Sequence, residues 1–239
     1  MTPRLFADAR VRLAMVAVLA SGALIAIGGC DPRQALFFLQ PNDPMVDAPF
    51  DVSLQGKKIV VLVQVASNSM GEYSSLDRDL TREFNSILQK KVKKITVVGA
   101  DKVMTWKEAH PKWTAPAEIA TDFNADIVIF LEVEQFQIQS PGDLNMLHGQ
   151  AKVHIVAYEM QYPKNSKDKP IKDQPKEPVS IYDDYAEPMF PDRGPIPIDN
   201  GSSRSKFRIK FLKVVAKEIS WHFIAHAEDD SIQDSRIER

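Results

Sequence analysis

Two apolar runs constrain this chain more than any other feature: Ile59-Val60-Val61-Leu62-Val63-Gln64-Val65 and Ile127-Val128-Ile129-Phe130-Leu131. A short β-branched run bounded by polar residues is a strand buried on both faces, as in a parallel sheet covered by helices. Between the two runs, Leu76, Leu80, Phe84, Ile87, Leu88 and Val92 recur at helical spacing and form one stripe. Ser74 or Ser75 stands where a helix cap is expected, and Asp77 and Asp79 fall in the first turn. Lys90, Lys91, Lys93 and Lys94 crowd the end, where cations complement the helix dipole. That role makes the lysine cluster structural rather than a binding patch.

Ile95-Thr96-Val97-Val98 reads as the second strand. The next stretch carries Trp106 and Trp113 around His110-Pro111 and reads as an irregular helix-loop segment. Pro116 then opens a short helix from its favoured first turn. Asn124, which tolerates the left-handed conformation, closes it. After the third strand the apolar parity slips by one before Phe136 and Ile138, which predicts a bulge near Glu134-Gln135. Residues 150–160 return as an alternating strand whose expected partner is residues 178–185. The zone 163–197 holds half of the chain's 16 prolines, so it cannot be continuous helix or sheet and reads as a long hairpin loop followed by a second loop. A last helix is expected from about Ser203 through Phe207, Phe211, Val214, Val215, Ile219 and Phe223, then a polar tail at 229–239.

The fold class that follows is α/β: a single domain over residues 57–228, in the order β-α-β-α-β-β-β-α. Strands joined by helices are parallel, and later strands joined by hairpins are antiparallel. This predicts a mixed sheet of about five strands, the first and third strands inside, with helices on both faces.

The first thirty residues carry a different message. Arg4, Arg10 and Arg12 precede an apolar stretch from Leu13 to Gly29, the layout of a secretory signal peptide over residues 1–29. It ends Ala26-Ile27-Gly28-Gly29-Cys30, with the only cysteine of the chain. This resembles the lipobox of bacterial lipoproteins, which implies cleavage before Cys30 and acylation of its thiol. An uncleaved anchor is the alternative, since this stretch is at the short end of the roughly 17–25 residues needed to span a bilayer. Either way the arginines stay inside and the domain faces out. Residues 30–56 then read as a tether whose apolar centre, Ala35-Leu36-Phe37-Phe38-Leu39, is expected to dock on the domain or the membrane. Asp31 resembles an inner-membrane retention signal, and the choice of membrane stays open. Beyond residue 29 there are 27 basic against 31 acidic residues, a net charge of −4. That balance argues against a nucleic-acid partner.

The strand at 58–65, the amphipathic helix, the strand at 95–98 and the turn Phe123-Asn124-Ala125-Asp126 before the third strand are similar to a recurring envelope fold. It is the fold of the CsgG, TolB amino-terminal and LpoB-like proteins. Asn124 stands where that group commonly has glycine. The resemblance covers residues 57–160 and implies a protein that holds other proteins; no counterpart of the membrane-inserting hairpins of CsgG is visible, which disfavours a pore.

Several residues invite a chemical reading. His222 and His226, one turn apart on the expected last helix, have a spacing that can hold a metal, but no third ligand is evident and none is expected. His154 can meet Glu132 or Glu134 across strands, as a general base or as a plain cross-strand ion pair. Asp183 and Asp184 would need a loop to share a cation, because neighbours on a strand point to opposite faces. Ser203 and Lys206 have the spacing of a Ser-x-x-Lys pair without the motifs that accompany it in acylases. Trp106, Trp113, Tyr182, Tyr185 and Phe190 are the candidate partner contacts, read as exposed aromatic anchors. No cofactor is expected. The function these readings favour is a non-enzymatic, lipid-anchored adaptor facing the periplasm. The alternatives are an envelope hydrolase with a shallow site near the third and fourth strands, and a module binding cell-wall glycan or a small ligand.

Overall fold

The computed structural model describes residues 45–66, 73–116, 118–140, 142–199 and 203–227. The signal segment, Cys30, the apolar centre of the tether and the tail lie outside the described residues. In chain order the elements are β1 (Met45–Val46), β2 (Lys58–Val65), α1 (Leu76–Lys91), β3 (Thr96–Val97), α2 (Ala100–Ala109), α3 (Glu118–Phe123) and β4 (Ile127–Ser140). They continue with β5 (Asp143–Gln161), β6 (Glu177–Ala186), β7 (Met189–Phe190), β8 (Ile196–Pro197), α4 (Arg204–Trp221) and β9 (His226–Ala227).

The main sheet has the order β3-β2-β4-β5-β6, with β7 and β8 pairing the first half of β5. β2 runs parallel to both neighbours, from Ile59 opposite Ile127 to Val65 opposite Val133. β4, β5 and β6 are antiparallel to one another. The mixed α/β sheet, the inner positions of β2 and β4 and the helices on both faces match the reading of the sequence; the sheet has seven strands rather than about five, and β5 is inner as well.

Alternation along β2 sends its side chains into two separate cores. Ile59, Val61, Val63 and Val65 join Leu76, Leu80, Phe84 and Leu88 of α1 and Phe207, Phe211, Val215 and Ile219 of α4. Val60 and Leu62 face the other way, against Val103, Met104 and Trp106 of α2 and Ile119 and Ala120 of α3. The pairing of β4 with β5 slips between Val133 and Gln135, so that Phe136 and Ile138 rejoin the first core. This is the bulge expected from the parity change. Gly149 on β5 lets the Phe211 ring lie against the strand backbone; a Cβ there would sit 2.5 Å from the ring.

The helix ends follow local chemistry. Asn124 closes α3 at φ 47°, and the Ala125 N–H donates to Ala120 O at 2.9 Å. The Glu118 carboxylate reaches back to accept from the N–H groups of Thr114 (3.0 Å) and Ala115 (2.9 Å), holding its pKa below the usual range. Ser75 occupies the cap position of α1, but its hydroxyl donates to Asp79 at 2.8 Å instead of accepting from the backbone.

Three expectations are corrected. The helical part of the segment around Trp106 is a regular helix of ten residues, α2, and the expected loop follows it from His110. Residues 45–56, read as tether, belong to the domain: Phe50 and Leu54 are buried in the first core, and the Phe50 N–H donates to His222 O at 3.1 Å. The last helix stops at Trp221, short of Phe223, and the chain turns into β9, which pairs with β1. No helix among the described residues is long and apolar enough to cross a membrane.

Candidate functional site on the open sheet face

The second core ends partway across the sheet. Beyond Phe130 the same face of β4, β5 and β6 turns polar, because Glu132, Lys152, His154, Asp183 and Tyr185 take the positions that apolar residues hold lower down. Register brings them together. Glu132 is directly opposite His154, and His154 is directly opposite Tyr185 on the next strand. His154 Nε2 lies 2.7 Å from Asp183 Oδ1, and Nδ1 lies 3.9 Å from Glu132 Oε2, beyond hydrogen-bond reach. The imidazole stacks on the Tyr185 ring at 4.6 Å and 15°. Lys152 covers the same ring at 4.7 Å and pairs with Glu134 at 2.9 Å.

That pairing lowers the Glu134 pKa and raises that of Lys152, through the hydrogen bond they share. Burial and the Glu134 charge push the Tyr185 phenol up. An imidazole flanked by two carboxylates has the parts for proton transfer. Here its nearer carboxylate, Asp183, is largely exposed, and exposed pairs of this kind contribute at most about 1 kcal/mol. The cluster is a solvated layer of mutually satisfied charges.

A second cluster sits on the opposite face, where Asp184 points while Asp183 faces His154. The Tyr182 hydroxyl is 2.6 Å from His222 Nδ1 and donates to Asp184 Oδ2 at 3.1 Å. With His222 Nδ1–H donating to the phenol oxygen, all three groups are satisfied. Burial pushes the His222 pKa down, partly offset by Asp184, so the imidazole is neutral near pH 7. Burial and the adjacent carboxylate push Tyr182 up, so it keeps its proton. Edge-on contact of Tyr182 with Phe50 at 5.7 Å places this chain of hydrogen bonds at the rim of the first core. It locks β6 to the end of α4.

The remaining candidates separate. His222 follows the last residue of α4 and His226 lies on β9, so they do not share a helix face. His226 stacks on Trp221 at 4.6 Å. Among the described residues no group of three or more potential ligands is arranged around a metal. Ser203 caps α4, its oxygen accepting from the Lys206 N–H at 3.3 Å. Of the five aromatic residues read as exposed, Trp106 (6% exposed) and Phe190 (2%) are buried. Trp106 turns its indole N–H to Asp122 at 2.6 Å. Trp113 and Tyr182 are half-buried, and Tyr185 alone is exposed, at 44%.

Two pairings escaped the sequence reading. Asp183, rather than Glu132 or Glu134, is the near partner of His154. Lys107 reaches from α2 to Val63 O at 2.9 Å and Asp77 at 2.7 Å, tying the end of β2 to the start of α1. Both depend on which strands and helices become neighbours, which no local pattern records.

No family model matches the chain, and no curated protein does. Among solved structures, the chain is similar to the lipoprotein GNA1162 from Neisseria meningitidis at 12% identity, over 67% of this chain and 96% of that one, with a TM-score of 0.37. It is similar to the hypothetical protein CT253 from Chlamydia trachomatis at 15% identity, over 70% and 98%, with a TM-score of 0.39. A PelC dodecamer from Paraburkholderia phytofirmans aligns at 11% identity, over 75% and 94%, with a TM-score of 0.35. Likeness of this grade carries no activity or partner across to this chain.

Proposed function

We propose that this protein is a lipid-anchored adaptor of the cell envelope, held by acylated Cys30 on the periplasmic side and working by binding other proteins. The observation that carries this reading is the asymmetry of the sheet's two edges. β3 closes one side with two residues, whereas β6 ends the other with ten, of which seven are exposed, Ile181 and Tyr182 half-buried and Ala186 buried. Val179, Tyr185 and Met189 stand exposed on or beside that long edge. A long edge strand offers main-chain hydrogen bonds to an added strand, and its alternating side chains supply specificity. Proline and carboxylates along β6 guard it against indiscriminate pairing, which suits a surface kept for one partner.

The test is site-specific photocrosslinking in intact cells from Val179 and Tyr185, with Lys102 on α2 as the control position. One dominant envelope protein captured from β6 and not from α2 supports the adaptor. Equal background from all three positions sinks it. A second reading, a hydrolase using His154, rests on the short His154–Asp183 contact. Under the adaptor reading His154→Ala and Glu132→Gln leave function intact; loss of function from both, with capture at β6 unchanged, favours the hydrolase.

A further inference from the structure

The charges of this domain are sorted by end. The carboxylates Glu132, Glu134 and Asp183 lie towards the far ends of β4 and β6, while the end where β2 begins is rich in lysine. α1 and α4 pack side by side in the same direction: Leu76 and Asp79 share a groove with Arg208 and Leu212, and Ile87 and Lys91 share the next one with Lys217 and Trp221. Both helices therefore finish at the same end of the domain. Lys90, Lys91, Lys93 and Lys94 gather there from α1, and Lys213 and Lys217 from α4. Asp51 and Glu83 share the grooves with these lysines and Glu218 stands beside Lys217, so six lysines meet three acids.

Dipole compensation does not account for them all. Two helix C-termini amount to roughly one negative charge, about −0.5 each. The surplus at this end is cationic, whereas the described residues as a whole are nearly balanced, with 24 basic against 23 acidic side chains. The hairpin loop between β5 and β6 adds to the same end, since Lys176 reaches Asp126 (3.4 Å) just before β4 and Lys57 reaches Glu159 (3.1 Å) near the end of β5. Further lysines, Lys167, Lys169 and Lys172, lie on that loop.

This is also the end where the chain enters. β1 pairs with β9 immediately after α4, and Lys91, Ile224 and Ala225 line both grooves that flank this entry. Fifteen peptide steps separate Cys30 from Met45, a reach of at most roughly 50 Å at full extension. A lipid on Cys30 holds the lysine-rich end within that distance of the membrane, whatever path the tether takes.

We infer that the end of the domain formed by the close of α1 and the close of α4 docks on the anionic phospholipid surface of the membrane that holds Cys30. The proposal rests on the lipoprotein reading. Trp221 and Ile224, lining a groove of about 300 Å³ with Lys91, Lys213 and Lys217, give the same surface the amphipathic side chains suited to a headgroup layer. Docking there leaves β6 and the Glu132–His154 layer turned towards solvent and available to a partner.

The experiment is cosedimentation of residues 30–239 carrying Cys30→Ser, so that no acyl chain contributes, with vesicles of phosphatidylcholine alone or with 30% phosphatidylglycerol. Binding is expected only to the anionic vesicles, and is expected to vanish when salt shortens the screening length to about 3–5 Å. The variant Lys91→Glu/Lys213→Glu/Lys217→Glu is expected to bind at least about tenfold more weakly, since each lysine near such a surface counts for about fivefold. Lys102→Glu/Lys112→Glu, on the α2 side, is expected to bind as the parent does. Lys90→Glu/Lys94→Glu repeats the test at exposed positions should the triple variant melt early. Equal binding to both vesicle types, undiminished binding by the lysine variants, or equal loss from the α2 variant would overturn the proposal. Lipidation is read separately, from the mass of the Cys30 peptide recovered from cells: a bare thiol there removes the anchor reading whatever the vesicles show.

Discussion

The two faces of one sheet have been finished in different ways. On the α1–α4 face the core runs without a break from Phe50 to Phe190, filled by large rings that contact one another: Phe211 with Phe136 at 5.2 Å, Phe207 with Phe190 at 5.7 Å, Phe84 with Phe223 at 5.9 Å. On the α2–α3 face the helices are shorter, and the core stops at Phe130 and Trp113 before the sheet does. The strands extend past their cover, and the uncovered part carries paired charges instead of apolar side chains. Stability is concentrated on the first face, leaving the second free to present chemistry or contacts at little cost to the fold.

The contrast can be broken most directly at Phe211. Phe211→Ala removes a fully buried ring at the centre of the first core and is expected to destabilise by about 3–5 kcal/mol in denaturant unfolding. A loss below about 1 kcal/mol would mean that this face is not the stability centre. On the second face, Ile119→Ala is expected to cost about 2–3 kcal/mol, near the lower end for such truncations, since the thinner layer can close around the gap. A larger loss than at Phe211 would reverse the ranking.

Gly149→Ala sharpens the picture further. Its new Cβ would press on the Phe211 ring, and the expected loss is about 1–3 kcal/mol. Combined with Phe211→Ala the glycine substitution is expected to be nearly silent, because the ring it meets is gone; additive losses would point to the backbone instead.

Glu218 on α4 gives a pH test. Burial first, and then the charge of Asp192, push its pKa up to about 7 from 4.5. The folded state therefore holds the proton more tightly than the unfolded one. This contribution to stability is complete below pH 4.5 and is lost as pH rises through about 7. Glu218→Gln is expected to raise Tm relative to the parent more above pH 7 than at pH 5. His222, whose pKa is pushed below 6.5, acts in the other direction: its contribution is present above 6.5 and falls away on acidification. A pH-independent difference between the Glu218 variant and its parent would refute the raised pKa of this half-buried carboxylate. The smallest effect belongs to the polar layer, where His154→Ala is expected to change stability by less than about 1 kcal/mol, as for other exposed pairs.

Much of this architecture is legible in the sequence. The runs at 59–65 and 127–131, the stripe of α1, Asn124 in a left-handed turn and the bulge after Val133 are local patterns with local causes. The regularity of α2 is hidden because Lys107 interrupts its apolar stripe, while the loop that His110-Pro111 suggests does follow it. That lysine is drawn inward by Asp77 and Val63 O, both distant in sequence. The burial of Trp106 and Phe190 is hidden from the sequence for a related reason. An indole flanked by polar neighbours looks exposed until a strand such as β2 is laid beneath it.

Periodicity, turn chemistry and capping act over a few residues, so the sequence by itself determined which segments become strands and helices, that the sheet is mixed, and which strands are buried on both faces. Only the tertiary structure decided that Asp183 rather than Glu134 meets His154, that Tyr182 bridges Asp184 and His222, and that the lysines of α1 and α4 gather at the end where the chain enters. Each depends on register and on parallel helix packing. Those are set by the whole core at once: a shift of one residue along β6 exchanges Asp183 with Asp184 and remakes both clusters.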